Sequence, residues 1–126
     1  MAKTLLLGPD LDLGKRFIEL LDAAEFPVTV ACWLRCEEQF GEAWELVLGS
    51  QLYDTLGPKQ AYRRLIDALP PIKASEFQIR LLGNRHPLVK GLRKAFGKAG
   101  SVEEMRLGGQ GFGGVWIDDG YAYRIT

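Results

Sequence analysis

The chain is short of the residues that metal sites and disulfide scaffolds use. Its 126 residues include two cysteines, Cys32 and Cys36, and one histidine, His86. A structural zinc site takes four nitrogen or sulfur ligands, more than these three side chains supply. Both cysteines fall in one stretch that reads as a strand, where four steps separate their Cα atoms by about 13 Å. A disulfide spans at most about 7 Å, so the expectation is two buried thiols in a reducing compartment. Long apolar runs are missing as well. The longest, Val30 to Leu34, has five residues, against about 20 for a membrane helix. Leu5 to Leu7 follow Lys3, but Gly8-Pro9-Asp10 interrupts them too early for the apolar region of an export signal. A cytoplasmic chain without a membrane partner is expected. Net charge is the last absence: sixteen Lys plus Arg face sixteen Asp plus Glu.

What is present is an ordinary globular composition. With 47% hydrophobic and 25% charged residues, the chain is neither disordered nor collagen-like. Its length suits one domain over residues 1–126. Leu13, Phe17, Leu20, Leu21 and Ala24 recur at helical spacing, predicting a helix from Leu11 to Glu25 that Asp10 or Asp12 caps and Pro27 stops. Val28 to Cys36 alternates and is rich in β-branched residues, as a strand is. A second strand is expected from Ala43 to Ser50, with a hairpin loop over Glu37 to Glu42. Helices follow at Pro58–Leu69 and Pro87–Phe96, each with proline at its first position. Strands are expected at Phe77–Leu82, Glu103–Leu107, Gly114–Asp118 and Tyr121–Ile125, with Asp119-Gly120 as a tight hairpin turn. The order α-β-β-α-β-α-β-β-β predicts an α+β domain of two layers, a mixed and mainly antiparallel sheet with its helices on one face.

Motifs for chemistry fail on inspection. Gly8 to Lys15 has one residue too many for a phosphate loop, and Arg16 stands where Ser or Thr would hold magnesium. Gly109, Gly111 and Gly114 match GxGxxG, but a strand and not a helix is expected after them. Pro9-Asp10 lacks the later acidic-x-Lys partner of a nuclease set. A nucleophile pair of Cys32 or Cys36 with His86 depends on proximity in space that the sequence does not give. No catalytic constellation emerges, no cofactor or metal is called for, and an enzyme is not expected.

Charge distribution is more informative than its total. Residues 1–58 carry net −6, residues 59–98 net +8 and residues 99–126 net −2. The basic segment holds Lys59, Arg63, Arg64, Lys73, Arg80, Arg85, Lys90, Arg93, Lys94 and Lys98. Arg63, Arg64, Arg85, His86, Lys90, Arg93 and Lys94 are the candidates for anion or partner binding. Arg85 and His86 precede a helix whose free N–H groups favour an anion. Competing with that, Arg63 and Asp67 have the spacing of an intrahelical ion pair. If helices cover one face of the sheet, the other displays Trp33, Arg35, Arg80, Arg106 and Trp116, alongside Glu45 and Arg124. Trp and Arg are the residues interfaces favour, so that face is the candidate interface. The expected function is a non-catalytic protein-interaction domain, self-associating or binding a protein partner. The alternative is nucleic-acid or phosphate-ligand binding through residues 59–98.

Overall fold

The computed structural model describes residues 8–35, 44–70, 78–97 and 105–126. Cys36, the expected loop 37–42, Lys73, Lys98 and the start of the strand expected from Glu103 lie outside them.

Helix α1 (Gly8–Ala23) buries Gly14, Phe17, Ile18 and Leu21, one stripe at the spacing that makes a helix amphipathic. It begins before Asp10, which sits in its first turn, and it stops before Pro27 can act. Phe26 N–H donates to Leu21 O at 2.9 Å and Glu25 N–H to Asp22 O at 3.1 Å. This is a Schellman turn, and Glu25 holds its left-handed position at φ 59° where glycine is usual. Strands β1 (Val30–Arg35) and β2 (Trp44–Ser50) pair antiparallel, with Val30 opposite Gly49 and Arg35 opposite Trp44. A short helix that sequence periodicity does not reveal, α2 (Gln51–Leu56), starts where Ser50 Oγ accepts Leu52 N–H at 3.2 Å. Six residues are too few to show a 3.6-residue period. Helix α3 (Pro58–Ala68) follows, then β3 (Gln78–Gly83) parallel to β2, then α4 (Pro87–Phe96). The chain closes with β4 (Met105–Arg106), β5 (Gln110–Phe112), β6 (Val115–Ile117) and β7 (Asp119–Ile125).

Five strands form one sheet in the order β3-β2-β1-β7-β4, and β5 with β6 forms a separate hairpin. The fold is α+β with a mixed, mainly antiparallel sheet, as expected. Its layering differs from expectation, because both faces of the sheet are covered. Val30, Cys32, Leu34 and Val47 pack with Leu88, Val89 and Leu92 of α4 and with Phe112, Val115 and Ile117 of the hairpin. Ala31, Trp33, Trp44, Leu46 and Leu48 pack on the other face with Phe17, Ile18 and Leu21 of α1 and Ala61 and Leu65 of α3. The run Val30–Leu34 is therefore apolar on both sides because it is buried on both sides.

The tight turn also moves. Asp119 and Gly120 are paired residues of β7, opposite Arg35 and Leu34. A Cβ at Gly120 would lie 2.7 Å from Leu107 O, so packing and not turning selects that glycine. Gly113 and Gly114, at φ 58° and 83°, make the turn between β5 and β6, where two positive φ angles match the twist of a hairpin. In β7, Ala31 faces Arg124 while Cys32 faces Ala122, leaving Tyr123 as an extra residue. This bulge turns Tyr123 and Arg124 both toward α1. Tyr123 hydroxyl donates to Leu11 O at 2.6 Å and accepts from Trp33 Nε1 at 3.0 Å, and Arg124 makes a bidentate pair with Asp22 at 2.7 and 2.8 Å.

Candidate functional site

The sheet divides the basic segment in two. Ala61 and Leu65 turn inward to the α1 side of the sheet, which leaves Lys59, Arg63, Arg64, Ile66 and Asp67 on the outer side of α3. Leu88, Val89 and Leu92 turn inward to the opposite side, which leaves Lys90 and Lys94 on the outer side of α4 with Arg85 just before it. Among the described residues, those close in sequence thus carry two separate basic patches, one per side, and no single basic surface.

Three further described cations are engaged. Arg80 reaches the buried Glu45 with Nε at 2.7 Å and Nη2 at 3.2 Å, an interaction that raises its pKa. Arg93 Nε donates to Thr126 O at 2.7 Å, and Arg106 pairs with Asp119 at 3.2 Å. Among the described residues, Lys59, Arg63, Arg64, Arg85, Lys90 and Lys94 enter no ion pair. Arg63 and Asp67, one turn apart and expected to pair, form none with each other.

His86 is committed to the fold. Its Nδ1 accepts Leu88 N–H at 3.1 Å, so the imidazole caps α4 and occupies an N–H group that an anion would use. Burial, and then the positive charge of Arg80, hold its pKa below the ordinary value. The thiol of Cys32 is fully buried, which pushes its pKa up to about 12 and leaves it protonated and out of reach of a substrate. Among the described residues, no three His, Cys, Asp or Glu side chains come together as a metal site.

The expected interface does not assemble on one face. Trp33 is completely buried beneath α1. Arg35 shares that side, whereas Arg80 and Glu45 point to the α4 side, because Glu45 lies opposite Leu34 and Arg80 opposite Val47. Arg35 keeps a buried Nε without a hydrogen-bond partner among the described residues. Arg106 sits at the β4 edge, and Trp116 stands on the hairpin, 48% exposed, with its ring over Gly111. Gathering these residues on one surface assumes a sheet with one open face, and the buried second face removes that assumption.

The α3 side offers a shaped surface in its place. Lys59, Arg63 and Asp67 form an i, i+4 ridge along the helix. On one flank lies a groove of about 490 Å³, floored by Ala24, Phe26, Leu52 and Ala68 and walled by Glu25, Gln60, Arg63, Arg64 and Asp67. On the other flank a shallower hollow of about 430 Å³ is bounded by Lys59, Tyr62, Arg63, Ile66 and Asp67. Ile66 is 67% exposed, more than any other large apolar side chain among the described residues. This site has one signal in the sequence, the clustered Arg63-Arg64; Ile66 has the helical spacing of an inward stripe with Tyr62, Leu65 and Leu69, and the structure corrects that expectation by turning it outward. The contribution of Glu25 has none, because it arises from the turn at the end of α1. Comparison with family models, curated proteins and solved structures finds no match for this chain.

Proposed function

We propose that this protein is a non-catalytic interaction domain that binds an acidic protein segment on the outer side of α3. One observation carries the reading: Ile66, the most exposed large apolar side chain among the described residues, lies on the same helix as Lys59, Arg63 and Arg64, cations that enter no ion pair among those residues. An apolar side chain among cations suits a protein contact, and arginine is among the residues that dominate such contacts. The grooves on either flank give a partner helix somewhere to set its own ridge. A nucleic-acid backbone following residues 59–98 would need their cations on one surface, and the sheet separates the described ones on α3 from those on α4.

The test is a titration of the isotope-labelled protein with a synthetic helix-forming peptide of glutamate, glutamine and leucine, followed by amide NMR. At about 50 mM salt, where screening of exposed charges is weak, the amides of Lys59–Ala68 shift and those of Lys90–Lys94 do not. Ile66→Asp and Arg63→Glu each weaken binding at least about tenfold, the loss of a central contact. Shifts confined to α4, or none at about 1 mM peptide, would overturn the reading.

A further inference from the structure

Granting α3 as the contact face, we propose that the segment it holds is bipolar: acidic side chains meet Lys59, Arg63 and Arg64, an apolar side chain enters the groove, and a basic side chain reaches Glu25 and Asp67. The α3 surface is not uniformly basic. Its cations occupy the first two turns, Asp67 follows in the last, and Glu25 faces them from the end of α1 across the groove. A purely acidic segment laid along this surface would pass two carboxylates that, among the described residues, have no cation of their own. Like charges brought together in a contact are a strong discriminator against a partner. A base on the partner turns the same two groups into attractive contacts.

Glu25 adds an independent reason. Its backbone sits at φ 59°, in the C′ position of a Schellman turn that glycine fills without strain. A charged side chain kept at such a position lines the groove with Arg63 and Arg64. Backbone strain retained at the lip of a concave surface points to a role for the side chain it carries. That role is selection: Glu25 and Asp67 weaken the hold on a uniformly acidic segment and favour one that ends its acidic stretch with a base.

Two synthetic helix-forming peptides decide the matter. Each has the same leucines and the same three glutamates; one carries two lysines after them, and the other carries glutamines there. On the wild-type protein the lysine peptide binds about five- to tenfold tighter, the size of two exposed ion pairs. In the double variant Glu25→Gln, Asp67→Asn the two peptides bind equally, with circular dichroism confirming an intact fold. Equal binding of both peptides to the wild-type protein overturns the bipolar partner and leaves the acidic one standing. Binding of neither overturns both.

Discussion

The two sides of the sheet handle the same ingredients in opposite ways. Each carries one amphipathic helix from the basic segment, and each helix starts with proline. Helix α4 buries three residues among its ten and has its first turn capped by His86, while the hairpin turn comes so close that a Cβ at Gly91 would lie 2.7 Å from Gly113 N. Helix α3 buries two residues among eleven, has no side-chain cap, and keeps open grooves on both flanks. The α4 side is closed by its own chain, and among the described residues the α3 side keeps its grooves open. Basic charge alone does not distinguish these helices; what packs around them does.

Core truncation breaks the comparison most directly. Leu92→Ala on α4 is expected to cost about 4 kcal/mol and Leu65→Ala on α3 about 2 to 3 kcal/mol, read from urea unfolding. The difference arises because Leu92 sits in a cluster roofed by the hairpin, whereas the surroundings of Leu65 can relax into the adjoining groove. Equal losses would show that α3 is held as firmly as α4.

Arg80→Ala comes next, at about 3 kcal/mol by the same measurement, since it strands the carboxylate of Glu45 where only 2% of that side chain is exposed. Arg80 keeps part of its own contact with water, which places the effect at the lower end for a broken buried pair. Replacing Ile66 with Ala is the counterpart on α3. Stability is expected to change by less than about 0.5 kcal/mol, as for other exposed sites, while peptide binding falls.

Much of this contrast is open to inspection in the residues themselves. The helices Pro58–Ala68 and Pro87–Phe96 follow from proline at the start, apolar residues at helical spacing, and Pro70 or Gly97 beyond the end. The class and the mainly antiparallel sheet follow from alternation in β1 and β2. Layering stays hidden because alternation within a wholly apolar run says which residues share a face, never which face is covered. Val30–Leu34 carries the relevant signal, five apolar residues in a row, which suit a strand with two buried faces better than one. Asp119-Gly120 misleads for a related reason: a turn-forming dipeptide also fits a strand where a neighbouring backbone comes too close for a side chain. The α3 site is legible only in part, since its cations are local features, whereas Ile66 reads from its spacing as inward and the groove depends on where α1 ends.

Acidity should loosen the α4 side selectively. The His86 imidazole caps α4 only while Nδ1 is unprotonated, and it feels the positive charge of Arg80 and the positive end of α4 itself, with Arg85 next to it in the chain. Its folded pKa lies below 6.5, so the unfolded chain takes up protons first as the pH drops. Stability from the cap is therefore complete above about pH 6.5 and lost as the pH falls through the folded value. Compared with His86→Asn, which caps without titrating, the wild-type protein is expected to lose about 1 kcal/mol on acidification. The readout is the difference between their urea midpoints at neutral and acidic pH; a constant difference would sink the idea.

The smallest effect is a gain, and it lies on the open side. Glu25→Gly removes the left-handed strain at the end of α1 and should stabilise the fold by about 0.5 to 1 kcal/mol, after allowing for the greater freedom of glycine in the unfolded chain. Its hydrogen bonds to Asp22 and from Phe26 to Leu21 are made by the backbone and survive the change. Urea unfolding gives the gain, and the lysine and glutamine peptides give its consequence, a weaker preference for the lysine peptide. A rise in stability together with a loss of discrimination is the pattern of a residue kept for binding at the expense of the fold. Higher stability with discrimination intact would place Glu25 among ordinary strained turns and leave the choice of partner to Asp67 alone.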